Sequence, residues 1–353
     1  MATRDPVADL QRIAFLLETA NEATYRVRAF RSAAATLTKL SAEEIASRAA
    51  AGTLTKLAGV GTVTARCVEE SLAGEEPVYL RRLLATEGSD VDGATAALRK
   101  ALRGDCHTHS EWSDGSAPIE EMAMAALGLG HEYLVLTDHS PRLTVANGLT
   151  ASRLREQLDV VAALNETFAA ADTTFRILTG IEVDILADGS LDQKDDLLAQ
   201  LDVVVGSIHS NLADEPDVMT RRMLAAVRNP HLDILGHCTG RKLATTGGDK
   251  GHRGRGRPES RFDALAVFAA CAEHDKAVEI NSRPDRLDPP KRLLRLAVEA
   301  GCRFAIDTDA HAPGQLDWQL VGCTRAVASG VDPVRVVNTM RADDLLAWTA
   351  RHA

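Results

Sequence analysis

Gly104-Asp105-Cys106-His107-Thr108-His109-Ser110-Glu111-Trp112-Ser113-Asp114-Gly115-Ser116 is the stretch on which the reading of this chain turns. His107 and His109 stand at i and i+2, a spacing that puts two side chains on one face of a strand. Two imidazoles can thus aim at one point. Asp114 follows in a turn signalled by Gly115 and Ser116, and can fold back over that point. Neutral imidazole and carboxylate together suit zinc, manganese or iron. A His-x-His pair also occurs by chance on surface strands, so the remainder of the chain decides.

Downstream, short apolar runs alternate with helix-like segments. The runs lie at 105–109, 133–139, 175–186, 203–209, 233–237, 277–281 and 304–311, with helical patterns such as 118–127, 151–170, 218–227, 261–274 and 290–300 between them. Strands alternating with helices predict a parallel sheet. Seven such units predict an α/β fold of the distorted (βα)7 barrel kind. Each run ends in residues able to hold metal or substrate: His107 and His109; Asp138-His139; Glu182 and Asp184; His209; His237; Glu279 and Asn281; Asp307, Asp309 and His311. At the C-terminal ends of parallel strands such groups converge on one mouth. One histidine after an apolar run is most simply a core residue, but the same placement in strand after strand is not. Asp138, Asp184 and Asp307 read as hydrogen-bond partners or caps.

The resemblance is then specific. His-x-His…Ser-Asp-Gly, Thr-Asp-His, Gly-Ile-Glu, Ser-x-His, Gly-His and Asp-x-His resemble the motifs of the PHP (polymerase and histidinol phosphatase) superfamily over 104–345. Gly236-His237-Cys238-Thr239-Gly240-Arg241 and Glu279-Ile280-Asn281-Ser282-Arg283-Pro284-Asp285-Arg286 look like the C-terminal PHP domain of bacterial family X DNA polymerases, with Cys238 in place of a usual proline. The resemblance implies three divalent metal ions on nine ligands. His107, His109, Glu182 and Asp309 would hold the first. Glu182 would bridge to a second with His209 and His237. Asp114, His139 and His311 would hold the third. A hydroxide between close metals is a nucleophile at neutral pH, so no separate protein nucleophile is required. Arg241, Asn281, Arg283 and Arg286 are the substrate-binding candidates.

Before Gly104 the chain reads differently. Val7, Leu10, Ile13, Ala14 and Leu17 make an amphipathic helix over 6–20, and Ser41-Ala42-Glu43-Glu44 opens another with a capping-box pattern. Leu57-Ala58-Gly59-Val60-Gly61-Thr62 resembles the turn of a helix-hairpin-helix, whose second helix offers free backbone N–H groups to a DNA phosphate. Residues 10–72 look like the N-terminal helical domain of family X polymerases, which makes Gly59, Val60, Gly61 and Thr62 the DNA-binding candidates. The Schiff-base lysine of members with lyase activity corresponds to Cys67, and a nearby basic position to Val63, so lyase chemistry is not expected. About thirty residues, 75–103, stand where a nucleotidyltransferase core would lie. The expected domains are therefore 1–74 (helical), 75–103 (connector) and 104–353 (PHP).

Composition sets the outer limits. In 353 residues, 45% are hydrophobic and 25% charged, ordinary globular values. No apolar run is long enough to span a bilayer, and the first residues lack the apolar core of a signal peptide. Six scattered cysteines without Cys-x-x-Cys suggest reduced thiols and a cytoplasmic protein, with Cys106 and Cys238 in the core. Residues 1–103 carry 14 basic and 13 acidic side chains, and the remainder 26 and 37, which argues against indiscriminate nucleic-acid binding. The exception is 240–258, which holds Arg241, Lys242, Lys250, Arg253, Arg255 and Arg257 among six glycines and is expected to clamp a phosphate backbone. The reading that joins these features is a metal-dependent phosphoesterase for DNA 3′-end processing in repair. Its rivals are a small-molecule phosphatase of the histidinol-phosphatase type and a DNA-binding scaffold with a vestigial metal site.

Overall fold

The computed structural model describes residues 4–85, 91–244 and 256–352, in two compact units that divide between Asp90 and Val91. The interior of the basic segment, 245–255, lies outside the described residues.

The first unit is all-helical. Helix α1 (Pro6–Thr19) begins where the Asp5 carboxylate accepts the Val7 amide and Pro6 pre-sets the first turn. Helices α2 (Thr24–Leu37), α3 (Ala42–Ala50), α4 (Thr62–Leu72) and α5 (Val78–Leu84) follow. Ser41 caps α3 as its capping pattern predicts, its hydroxyl accepting from Glu44 N. Leu10, Ile13, Leu17, Phe30, Leu37, Leu54 and Val68 form the core.

The second unit is the predicted parallel barrel. Strands β1 (Gly104–Thr108), β2 (Tyr133–Leu136), β3 (Arg176–Asp184), β4 (Val203–Ser207), β5 (Ile234–Leu235), β6 (Ala277–Asn281) and β7 (Arg303–Asp307) pair in sequence order. Helices Ile119–Gly128, Ala151–Ala170, Pro216–Val227, Ala264–Glu273 and Lys291–Glu299 make the crossovers, while β3 and β4 are joined through the single turn Asp195–Leu198. Most of the strands are shorter than the apolar runs, β1 and β6 being the exceptions. The runs continue because the residues past each strand end are buried where the strands converge, although the ladder has already stopped. Most candidate ligands therefore stand just beyond the strands rather than on them.

Between β1 and β7 the ladder is reduced to one parallel bridge, Thr108 to Ala310. Side chains complete the seam. Thr308 Oγ1 donates to Asp105 Oδ2 at 2.5 Å, Cys106 N to Asp307 Oδ1 at 2.9 Å, and Gln319 Nε2 to the carbonyls of Gly104 and Ile306 at 2.9 and 3.0 Å. At the opposite end from the candidate site, helix Ala342–Thr349 packs Leu345 and Trp348 against the barrel interior with Val135, Val203, Ile234 and Ala305. No described helix is long and apolar enough to cross a membrane, and all six cysteines are free.

Candidate metal centre

Nine residues meet at the C-terminal mouth of the barrel. They fall into four overlapping groups whose ligand atoms lie within 4.8 Å of one another: His109, Asp114, His139 and His311; His107, Glu182 and His237; His107, His109 and Asp309; His139, Glu182 and His209. Glu182, at the end of β3, is central. Its Oε1 lies 2.9 Å from His237 Nε2 and 3.3 Å from His209 Nε2. Its Oε2 lies 2.8 Å from His139 Nδ1, 3.4 Å from His107 Nε2 and 3.6 Å from His109 Nε2. One carboxylate thus faces two different sets of imidazoles. Asp114 reaches the outer group from its turn, 3.3 Å from His311 Nε2 and 3.5 Å from His139 Nε2. Asp309 adopts φ +54°, a left-handed conformation that Asp tolerates better than most residues.

The cluster's electrostatics are those of a cation site. Burial pushes the Glu182 carboxyl up, but His139, His107 and His209 outweigh it and hold it well below the usual range. Burial would lower His107, yet Glu279 and Glu182 keep its imidazolium well above the ordinary value. His209 is likewise raised, to about 9, by Glu182 and Asp184 against its burial. His107 Nε2, both nitrogens of His109, Glu182 Oε2, His209 Nε2 and His237 Nδ1 are buried without a hydrogen-bond partner. Orphaned imidazole nitrogens and carboxylate oxygens this close together are the donor set that divalent ions satisfy.

A supporting layer fixes the rings. Glu279, alone among apolar neighbours in β6, places Oε1 2.6 Å from His107 Nδ1 and accepts the His237 amide on Oε2. The sequence places it among the residues able to hold metal or substrate; in the structure it stands behind the rings as a hydrogen-bond partner of His107 and His237. Asp184 Oδ1 lies 2.8 Å from His209 Nδ1. Asp138 accepts from Ser110, Ser113 and Gln157, and so holds the turn that carries Asp114. Such partners orient the rings and set their tautomers.

The four substrate-binding candidates separate. Arg283 Nη1 lies 3.2 Å from His311 Nδ1, and Arg286 Nε lies 2.9 Å from Asp309 Oδ2, so both adjoin the cluster. Asn281 Nδ2 donates to Glu279 and Asp309, which ties two carboxylates together rather than leaving its amide toward substrate. Arg241 departs from expectation: its guanidinium donates to the carbonyls of Arg286 and Leu287 and props their loop. Those carbonyls flank the left-handed backbone of Leu287 and lie outside any helix or strand.

Arg222, absent from the sequence reading, is a buried clamp. From helix Pro216–Val227 it donates to the carbonyls of Ile185, Leu186 and Ser210 and to the Ser210 hydroxyl. These residues adjoin Asp184 and His209. Replacing it by Met leaves the buried Ile185 carbonyl and the Ser210 carbonyl without this donor, while Leu186 O keeps Gly189 N, and should lower stability by on the order of 2 kcal/mol. A denaturant midpoint unchanged from wild type would contradict this.

In the helical unit, Gly59 has φ +77°, and a Cβ there would meet Ser32 Cβ at 3.0 Å. Gly61 caps α4, its own amide donating to Thr64 Oγ1 at 2.9 Å, while the first-turn amides that follow have no intrahelical acceptor. Thr62 is exposed, but Val60 is buried in the core, so only its backbone can face a ligand. Cys67 lines an apolar cavity of about 340 Å³ with Val63, Arg66 and Tyr79, and burial pushes its thiol up to about 11. It offers neither an amine nor a thiolate.

Residues 105–283 match the PHP domain family, and residues 1–77 match a helix-hairpin-helix domain family. The chain is 40% identical over 251 residues to the DNA polymerase/3′-5′ exonuclease PolX of Bacillus subtilis, a match that covers 71% of this chain but 41% of that protein. The chain therefore spans well under half the length of that relative. It is 29% identical over 223 residues to a probable phosphatase of Thermoanaerobacter sp., covering 59% of this chain and 78% of the relative. A histidinol phosphate phosphatase from Lactococcus lactis, solved with zinc, L-histidinol and phosphate, superimposes at 18% identity and a TM-score of 0.45 over 65% of this chain and 95% of its own.

Proposed function

The chain belongs to the PHP family of metal-dependent phosphoesterases, and from that premise we propose that it processes DNA 3′ ends, as a 3′-5′ exonuclease or 3′-phosphodiesterase. The observation that carries this reading is one chain holding both the nine-residue cluster and a helix-hairpin-helix unit. The likeness to a polymerase/3′-5′ exonuclease supports the same substrate class.

In this reading His107, His109, Asp114, His139, Glu182, His209, His237, Asp309 and His311 would hold three divalent ions, with Glu182 contributing to two of the sites. Zinc, manganese and iron all suit such a mixed imidazole and carboxylate set. Bound there, the ions supply Lewis acidity that brings water's pKa toward neutrality and offsets phosphoryl charge. The side chains do the rest. Arg283 and Arg286 bind the scissile phosphate beside His311 and Asp309, and stabilise charge that grows on its oxygens. Glu279 and Asp184 fix the His107 and His209 rings so that Nε2 of each faces Glu182. Cys106 and Cys238 are no rivals as nucleophiles, because burial first, and then nearby carboxylates, keeps both thiols protonated. The amides after Gly61 hold a backbone phosphate of the DNA.

The test is incubation of metal-loaded protein with 3′-hydroxyl and 3′-blocked oligonucleotides and with bis(p-nitrophenyl) phosphate. Product is expected from DNA, lost on chelation and restored by manganese or zinc. Each ion site filled at about 100 times its Kd should also add about 2.7 kcal/mol to stability, read as a rise in melting temperature. Efficient cleavage of the small ester with none of any DNA would replace this reading by that of a small-molecule phosphatase. Failure to bind metal or cleave either substrate would leave a DNA-binding scaffold.

A further inference from the structure

The basic segment after β5 is pinned at its two ends. Lys242 N donates to Arg257 O at 3.0 Å and Arg257 N to Lys242 O at 2.8 Å, an antiparallel bridge between two cationic residues far apart in sequence. Arg257 Nε donates to Gly240 O at 2.6 Å, and Leu243 N to Asp285 O at 2.6 Å. The second bond docks the bridge on the loop that carries Arg283 and Arg286.

Four cations are thereby gathered beside the metal centre. Burial, and then Arg286 and Arg283, push the Lys242 ammonium down, and burial and Arg286 do the same to Arg257. The carboxylates of that loop are committed to other partners than Lys242 and Arg257, Asp285 to Arg283 itself. Asp285 accepts from Arg283 Nε at 3.0 Å, and Asp288 accepts from Thr239 Oγ1 at 2.6 Å. Among the described residues, neither Lys242 nor Arg257 has a carboxylate within ion-pair distance. Arg286 is 7% exposed, yet its Nη1 has no hydrogen-bond partner. Half-buried like charges held together by backbone bonds, next to a buried guanidinium nitrogen without an acceptor, leave room for one anion.

We propose that Lys242, Arg257 and Arg286 form a second phosphate subsite, which takes the phosphate one nucleotide away from the scissile one in a single-stranded DNA end. Arg286 links the two positions, since its Nε reaches Asp309 while its Nη1 is unpaired. A monophosphate ester leaves this subsite unused, so the subsite separates a polynucleotide from a small ester. The inference rests on the phosphoesterase reading above and sharpens its substrate class.

The experiment measures inhibition of bis(p-nitrophenyl) phosphate hydrolysis by thymidine 5′-monophosphate and by the 5′-phosphorylated dinucleotide, with the metal-loaded full chain. In wild type the dinucleotide should inhibit about tenfold more tightly or better, the worth of one charge-assisted contact. In Lys242→Gln/Arg257→Gln that ratio should fall to about twofold or less. Its log–log salt slope should shrink by about 0.7, the release expected for one phosphate of a single strand. Lys242→Arg should keep the wild-type ratio. Should the double variant fail to fold, Lys242→Gln alone reads the same ratio. A wild-type ratio near one, or a ratio unchanged in the glutamine variants, overturns the subsite. Absence of DNA cleavage with the ratio intact and sensitive to these variants would instead retire the DNA-processing reading and leave the subsite standing.

Discussion

Glu182→Gln should lower phosphodiester hydrolysis by about 10³-fold or more and reduce the metal bound per chain, with the fold retained. The substitution is nearly isosteric, and the backbone at this position is fixed by the β3–β4 ladder, Glu182 pairing with Val205. What changes is the chemistry of two atoms. Oε1 faces His209 and His237, and Oε2 faces His107, His109 and His139. An amide keeps one acceptor and turns the other into a donor, so it can serve one set of imidazoles but not both. In the proposed reading, the negative charge that would balance ions on both sides is also lost. Lewis-acid assistance is worth several kcal/mol, and about 4 kcal/mol corresponds to about 10³ in rate. Metal analysis beside single-turnover kinetics and circular dichroism reads all three claims. Full metal occupancy with activity within about tenfold of wild type would remove Glu182 from its central place.

The same residue illustrates what the sequence makes legible. Glu182 stands out because a carboxylate ends an apolar run, and His139, His209 and His237 stand out in the same way. Burial at the mouth extends the apolar pattern just up to the groups that interrupt it. That continuity also misleads, since the run 133–139 outlasts the strand, which stops at Leu136. Thr137, Asp138 and His139 stay buried after the ladder has ended, and side-chain polarity does not record where backbone pairing stops. Arg241 was assigned to substrate because it follows a ligand strand. Its guanidinium answers instead to carbonyls some 45 residues away, a partnership with no local signature. Arg222, and the supporting part that Glu279 plays behind the rings, are not legible for a related reason. Each acts through residues distant in sequence, as with the 172 positions between Glu279 and His107, and each is an ordinary side chain until the fold supplies its partner.

Asn338→Leu should cost about 4 kcal/mol of stability, a large effect for a residue far from the chemistry. Asn338 sits in the seam between β1 and β7, fully buried, where one bridge is all that remains of the ladder. Its Nδ2 donates to Asp307 Oδ1 at 2.8 Å and to Gly104 O at 3.2 Å, and its Oδ1 accepts Ile306 N at 2.6 Å. One amide therefore stands in for the strand-to-strand bonds that a full ladder would provide. Leucine has the same branched skeleton, is bulkier, and has none of these polar atoms. It strands the buried amide of Ile306 at about 1–3 kcal/mol and must fit a bulkier side chain into the seam at a similar cost. It also withdraws a donor from Asp307, whose carboxyl is already pushed well up by burial and by the Asp105 and Glu279 charges. Gln319 still donates to Gly104 O, which keeps the estimate below the sum of the separate losses. Because Asp307 lies two residues before Asp309, and Asp105 two before His107, the loosened seam should also weaken metal retention. Denaturant melts of the metal-free protein isolate the stability cost, and metal titrations isolate the second effect. A metal-free midpoint within about 0.5 kcal/mol of wild type would show that the bridge and Gln319 close the barrel without Asn338.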